Sequence, residues 1–333
     1  MIGQSMNSRG VFRLSQLDIL AMPKVHPLYL QALKAVYKVH TYSPEAGPEA
    51  LAELAPRIVG LAAGGESVVP GALLAQLPAL KMLSVFGVGY DGIDVQAAIA
   101  QGVPVTHTPG VLTDDVADLA MALVLSVARL VPQADQHVRQ GRWPQGAMPL
   151  GRKVSGARMG IVGLGRIGQA IARRAAAFNM SIAYTTRTEK PESGYTYYPT
   201  AAALAAAVDF LVVITPGGAG TRHLINAEVL QALGPQSYLV NVARGSVVDE
   251  EALVKALAGG VIAGAGLDVF ANEPQVPEAL WSMPNVVLTP HMASATHQTR
   301  QAMADLAFAN MQAGLSGQPL LTPVPECAAS QER

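Results

Sequence analysis

The stretch MGIVGLGRIG, Met159 to Gly168, governs how the rest of the chain is read. A short apolar strand, Met159 to Gly163, runs into Gly163, Gly165 and Gly168 in the spacing G-x-G-x-x-G. From Arg166 to Phe178, residues Ile167, Ala170, Ile171, Ala175 and Phe178 recur at steps of three or four. That spacing predicts an amphipathic helix with Arg173 and Arg174 on its polar side. The glycine spacing alone is a weak signal, and an ordinary glycine-rich turn satisfies it. Strand, turn and helix in this order supply the context that phosphate binding needs. The first glycine permits the tight turn and the second lets backbone approach a pyrophosphate. The third lets the helix pack close to the strand, with its N-terminal amides toward the phosphates. The expected ligand is a dinucleotide.

Outward from this turn, apolar segments of strand length recur at Phe12 to Ala21, Arg57 to Ala63, Lys81 to Phe86, Pro104 to His107, Ser181 to Thr186, Phe210 to Thr215, Tyr238 to Val242, Ile262 to Val269 and Val286 to Thr289. Helical spacing fills most of the gaps, and alternation of this kind predicts an α/β fold with parallel sheets covered by helices. Asp249 is placed to cap the helix that comes after it, and Gly259 and Gly260 to end it. Asp114 to Leu130 reads as a helix apolar on most sides, which predicts burial between domains or subunits.

A chain of 333 residues is long for one core and suits two domains. Half of the residues are hydrophobic and 14% are charged, so apolar surface is ample and disorder is disfavoured. A formal net charge of -1 gives no long-range field for a polyanion or an anionic membrane, so neither nucleic acid nor membrane is an expected partner. The single cysteine, Cys327, cannot form an internal disulfide, and no apolar run has the length of a signal peptide or a spanning helix; a cytoplasmic protein is expected.

Past the glycine turn, a site for the unphosphorylated cofactor usually presents Asp or Glu to the ribose hydroxyls. Here the strand ends in Thr185, Thr186, Arg187 and Thr188. Arg187 offers a forked cationic donor suited to a 2'-phosphate, and the threonines add neutral donors, which favours NADP over NAD. The alternative for Arg187 is a solvated strand end. Three further strand ends carry polar residues: Arg244, Glu273 and His291. In an open parallel sheet such positions gather at one edge. Reduction of a 2-keto acid needs these types. An imidazolium can protonate the carbonyl oxygen as hydride arrives, a neighbouring carboxylate stabilises that imidazolium, and a guanidinium can hold the substrate carboxylate. Singly, each residue has a structural reading, as loop histidine, surface charge or helix-entry cation. A hydrolase is a poorer fit without a G-x-S-x-G elbow, and no histidine spacing suggests a metal.

Four segments resemble the D-isomer-specific 2-hydroxyacid dehydrogenase family, and most closely its glyoxylate/hydroxypyruvate reductase branch. They are VFGVGYDGIDV at Val85 to Val95, GIVGLGRIGQAIA at Gly160 to Ala172, NVARGSVVDEEAL at Asn241 to Leu253, and GLDVFANEP with LTPHMASAT at Gly266 to Pro274 and Leu288 to Thr296. The resemblance implies that Arg244, Glu273 and His291 are catalytic. It further implies that Val88 and Gly89 bind the substrate carboxylate through backbone N–H groups, alongside Arg244 and His291. The cofactor positions it implies are Gly163, Gly165, Arg166, Ile167, Gly168, Thr186, Arg187, Thr188, Thr215, Pro216, Val242 and Asp268. It also implies a Rossmann doubly wound cofactor domain, 108–297, inserted into a flavodoxin-like substrate-binding domain, 1–107 plus 298–333. The helix after Thr113 matches the family's dimer contact, and Trp143 resembles a tryptophan that reaches a partner's active site; a packing anchor is the other reading of Trp143. Glutamate at position 273 disfavours a formate dehydrogenase. The expected activity is NADPH-dependent reduction of glyoxylate and hydroxypyruvate by a homodimer. The alternatives are a dehydrogenase for a larger D-2-hydroxy acid, a nucleotide-sensing corepressor-like binding protein and, more remotely, a phosphite-oxidising enzyme.

Overall fold

The computed structural model describes residues 17–331 apart from 44 and 46. Residues 12–16 of the first expected strand lie outside these. The described chain forms two compact units, one gathering residues up to Leu112 and from Thr296 onward, the other spanning Thr113–Ala295. Among the described residues no helix is long and apolar enough to cross a membrane.

The first unit holds β1 (Asp18–Ala21), β2 (Lys38–Thr41), β3 (Ile58–Gly64), β4 (Met82–Phe86) and β5 (Val105–Thr106), all parallel in the order β2-β1-β3-β4-β5. That is a flavodoxin-like strand order. Every residue of β1 and β4 is buried, which is why both are apolar apart from Asp18 and Ser84. The helix His297–Leu315, capped by Thr296, covers one face. It lies close to the sheet because Gly60 has no side chain: a Cβ there would sit 2.6 Å from Ile19 Cδ1 and 2.8 Å from Met311 Sδ. Residues 108–112 stay with this unit, and Thr108 is bonded in both directions to Gly87 beyond β4.

The second unit holds β6 (Arg158–Val162), β7 (Ser181–Thr185), β8 (Thr196–Tyr197), β9 (Phe210–Val213), β10 (Tyr238–Asn241), β11 (Gly264–Leu267) and β12 (Val286–Leu288). All pair in parallel, in the order β12-β11-β10-β9-β6-β7-β8. The order reverses between β6 and β9, the place where a doubly wound sheet opens a ligand crevice. The helix Arg166–Ala177 succeeds β6 and buries Ala170, Ile171 and Ala175. Arg173 is exposed, whereas Arg174 is pulled toward a neighbouring helix by Asp114 and Asp118.

That neighbour, Thr113–Arg129, has eight buried residues, and they lie against its own unit: the helix Arg166–Ala177 and strands β10 to β12. Close approach is possible because β11 presents Gly264 and Gly266; a Cβ at these positions would meet Val127 at 3.2 Å and Leu123 at 3.0 Å. The apolar run therefore has a partner inside the unit. Asp249 caps the helix Glu250–Ala258 by accepting from the Ala252 N–H, and Gly260, at φ +66°, comes next in the left-handed region while Gly259 remains right-handed.

Candidate active site

Strand register lines up the functional turns. Thr185, Val162, Val213, Asn241, Leu267 and Leu288 pair across the second sheet at one level, and each ends or nearly ends its strand. Just beyond these ends stand, in order across the sheet, Thr186, Gly163, Thr215, Val242 with Arg244, Asp268, and the turn to His291. The buried apolar residues of β6, β9, β10 and β11 hold this edge rigid from beneath.

The glycine turn has the form a dinucleotide needs. Gly163 has φ +105°, and a Cβ on it would lie 2.8 Å from the Ile214 carbonyl oxygen. At Gly168 a Cβ would sit 2.1 Å from the Gly163 carbonyl oxygen, so a side chain there drives helix and turn apart. At Gly165, by contrast, nothing lies within 4 Å of a built Cβ. The backbone there is bare at the amino end of the helix Arg166–Ala177, and Arg166 is exposed with Ile167 half-buried. Two glycines serve packing and the middle one leaves space, which fits a pyrophosphate laid on the turn.

Beside it, beyond β7, Thr186 is half-buried and its hydroxyl donates to the Thr188 carbonyl at 2.6 Å, tightening the corner, while Arg187 and Thr188 are exposed. Lys190 is a second cation here that sequence reading missed. Its ammonium donates to the Leu164 carbonyl at 3.0 Å, and its backbone N–H donates to Tyr184 Oη at 2.7 Å. A lysine three places past Arg187 was the available signal; its contact with the glycine turn was not. On the far side of the reversal, Thr215 is half-buried and Pro216 exposed, with the Pro216 carbonyl accepting from Thr221 Oγ1 at 2.7 Å.

Beyond strands β10 to β12 stand the candidate acid–base residues. Asn241, buried at the end of β10, accepts from the Ala243 N–H through Oδ1 and donates to the Arg244 carbonyl through Nδ2. This ties the turn carrying half-buried Arg244, whose Nη1 donates to the Ala243 carbonyl at 2.8 Å. Gly245 allows the next loop to press in, since a Cβ there would fall 1.9 Å from the Phe270 carbonyl carbon. That next loop holds Glu273. Its Oε1 accepts from the Phe270 N–H at 2.8 Å, while Oε2 lies 2.6 Å from His291 Nδ1. An ionised carboxylate only accepts, so Nδ1 carries the hydrogen and donates to Glu273.

His291 has φ +50°, a left-handed conformation that histidine tolerates better than branched residues do. Its N–H donates to the Asp268 carbonyl at 2.8 Å. The Asp268 side chain is fully buried and accepts from Thr289 Oγ1 at 2.6 Å, Met292 N at 2.9 Å and Ala293 N at 3.0 Å. Burial pushes the Asp268 carboxyl above its ordinary pKa, and the three donors and the His291 charge pull it back down. Asp268 thus folds the turn on which His291 stands. Glu273 and His291 are brought into contact, and Arg244 stands at the same edge in the turn after β10, which adjoins β11, the strand before Glu273. Val242 is buried beneath.

In the first unit, Val88 and Gly89 come after β4, half-buried, in a loop of their own. Trp143 is 70% exposed, in a stretch that also exposes Val131, Val138 and Leu150.

Known proteins show the same organisation. Residues 121–293 match the family model described as D-isomer specific 2-hydroxyacid dehydrogenase, NAD binding domain. A hydroxyphenylpyruvate reductase of Plectranthus scutellarioides is 46% identical over 309 residues, 92% of this chain and 99% of that one. A glyoxylate/hydroxypyruvate reductase A of Arabidopsis thaliana is 49% identical over 267 residues, 80% of this chain and 84% of that one. Among solved structures, an NADPH-dependent glyoxylate/hydroxypyruvate reductase from Sinorhizobium meliloti, in complex with NADP and malonate, superposes with a TM-score of 0.88 at 49% identity, covering 94% of this chain and 98% of that chain. With the doubly wound sheet, the glycine turn and the paired glutamate and histidine all in place, these likenesses over nearly the whole length make the chain a member of the D-isomer specific 2-hydroxyacid dehydrogenase family.

Proposed function

We infer that this chain is an NADPH-dependent reductase of small 2-keto acids, glyoxylate and hydroxypyruvate, forming D-2-hydroxy acids. The observation that carries this reading is the 2.6 Å contact of His291 Nδ1 with Glu273, at the sheet edge that begins with the glycine turn. The dinucleotide supplies the hydride when bound. Gly163, Gly165, Arg166, Ile167 and Gly168 hold its pyrophosphate, with Thr215, Pro216, Val242 and Asp268 along the same edge. Arg187, exposed at the end of β7 with Thr186 and Thr188, takes the 2'-phosphate, a role supported by the absence of any acidic residue among Thr185 to Thr188. With Nδ1 committed to Glu273, the proton that His291 gives to the carbonyl oxygen is the one on Nε2, and Glu273 steadies the charged ring beforehand. Arg244 holds the substrate carboxylate and polarises the carbonyl. Val88 and Gly89 of the first unit receive the carboxylate on their amides, and that unit has the substrate-binding role. The likeness to a reductase solved with NADP and malonate, a small dicarboxylate, supports both the cofactor and the size of the acid.

The exposed apolar side chains of Val131, Val138, Trp143 and Leu150 support a homodimer, and the single cysteine accords with a cytoplasmic enzyme. One relative is named a hydroxyphenylpyruvate reductase, which favours a larger keto acid as the second reading. Steady-state assays with glyoxylate, hydroxypyruvate and 4-hydroxyphenylpyruvate, each with NADPH and NADH, decide between them. The expected result is a kcat/KM at least about ten-fold higher with NADPH, a difference of about 1.4 kcal/mol, and a preference for the two small acids. A preference for the aromatic acid installs the second reading, and cofactor binding without any turnover points to a binding protein. Sedimentation of the same sample is expected to give twice the 34.7 kDa chain mass, and a monomer there removes the dimer.

A further inference from the structure

We propose that His107 is a positioning residue for the loop Gly87-Val88-Gly89, acting with Thr108 to aim the amides of Val88 and Gly89 at a ligand carboxylate. This rests on the reading above that those amides receive the substrate.

A trans peptide is planar, with its carbonyl and its N–H on opposite sides. Holding one therefore aims the other. The Gly87 carbonyl shares a plane with the Val88 N–H, and it accepts from the Thr108 N–H at 2.8 Å. Thr108 Oγ1 also accepts from the Gly87 N–H at 3.1 Å, so Gly87 is gripped from both ends. The Val88 carbonyl shares a plane with the Gly89 N–H, and it lies 2.9 Å from His107 Nδ1. A carbonyl can only accept, so Nδ1 carries the hydrogen and donates. Two successive carbonyls are thereby drawn toward the adjacent residues 107 and 108, and their two N–H groups are turned away from them. Neither the Val88 nor the Gly89 amide has an acceptor among the described residues. Successive backbone N–H groups presented in this way form an anion-binding concavity.

His107 is itself held. Its N–H donates to the Thr322 carbonyl at 3.1 Å, and Thr322 Oγ1 donates to its carbonyl at 2.6 Å. The ring meets Tyr90 edge-on, 5.3 Å between centroids, and the Tyr90 hydroxyl is bonded to Glu326 at 3.0 Å. Behind the loop, Gly87 touches the turn after β3, where a Cβ would come within 2.9 Å of Gly65 Cα. The histidine donor is thus fixed by the end of the chain, and the loop cannot retreat from it.

The test uses the full-length protein and the variants His107→Leu, which removes the donor, and His107→Asn, whose Nδ2 can replace Nδ1. With glyoxylate and NADPH, His107→Leu is expected to raise the KM for glyoxylate roughly ten-fold, the loss of one well-aimed hydrogen bond, while kcat and the KM for NADPH stay near the parent's. His107→Asn is expected to restore the KM for glyoxylate. Hydrogen exchange read in parallel should quicken in the peptide spanning residues 86–92 of His107→Leu and return to the parent's rate in His107→Asn. An unchanged KM for glyoxylate in His107→Leu, a loss that His107→Asn does not recover, or unchanged exchange in 86–92 overturns the proposal. A parent enzyme inert toward every 2-keto acid instead overturns the functional reading, and the exchange rates then still decide whether His107 holds the loop. Should His107→Leu fail to fold, exchange in His107→Asn decides: parent-like protection supports the donor's role, and loss of protection overturns it.

Discussion

The two edges of the seven-stranded sheet are both polar, yet they are built for different ends. At the amino-terminal edge Asp209 accepts from the Arg158 N–H at 2.8 Å, from Arg158 Nη2 at 2.9 Å and from Arg152 Nη2 at 2.9 Å. These bonds, the one to the Arg158 side chain first, hold its carboxyl below its ordinary pKa. At the carboxyl-terminal edge Asp268 also accepts from several donors, Thr289 Oγ1 and the Met292 and Ala293 N–H groups, but burial dominates and its pKa moves up. One carboxylate is at ease ionised and closes a cluster. The other is kept buried at some cost, and it shapes the turn that carries His291, the proposed proton donor. Charges that satisfy each other stabilise a fold, whereas charges held short of that can act on a ligand.

Variants can break this contrast. The largest expected effect is at the carboxyl-terminal edge, where His291→Ala should lower kcat by about 10²- to 10⁴-fold, the usual range for a general acid. Thermal stability and NADPH affinity should remain. Turnover near the parent's would remove His291 from the mechanism. A smaller effect is expected of Arg187→Ala, which leaves the fold and the acid–base pair untouched. The KM for NADPH should rise roughly 10- to 100-fold, the equivalent of a lost charge-assisted bond of about 1.5–3 kcal/mol, with that for NADH little changed. Parallel losses for both cofactors would mean that Arg187 does not read the 2'-phosphate.

The smallest effect belongs to the other edge. Asp209→Asn should leave kcat alone and cost about 1–2 kcal/mol of stability near neutral pH, with Arg158 half-exposed and its bonds screened by solvent. Since the folded-state pKa is lowered, Asp209 contributes fully above its ordinary, unfolded value and loses that contribution as pH falls through the lowered one. Urea titrations from neutral to acid pH should therefore show the gap between parent and variant closing only below the usual carboxylate range. A gap that persists there, or lost activity at neutral pH, would erase the distinction between the edges.

Much of this was legible in the sequence because parallel strands covered on both faces are apolar throughout. Segments such as Phe210–Val213 and Met82–Phe86 announce themselves. The two missed strands, Lys38–Thr41 and Thr196–Tyr197, lie at sheet edges with no fully buried residue, and their sequences carry no run to notice. Polar residues just after strands pointed to Arg244, Glu273 and His291, because strand ends share an edge whatever their separation along the chain. Contacts such as Lys190 to Leu164, or His107 to Val88, join a side chain to a backbone carbonyl 26 or 19 residues away. A backbone acceptor has no residue type, so no pattern of letters records it.

The common level at which Thr185, Val162, Val213, Asn241, Leu267 and Leu288 end has a quantitative consequence. Neighbouring strands stand about 4.8 Å apart, so the turns above them form a comb whose teeth are spaced by backbone hydrogen bonds and not by loop length. Insertions in the surface connections on the opposite side leave that pitch unchanged. The spacing between the glycine turn after β6 and the turn that carries His291 is thereby set by the sheet itself.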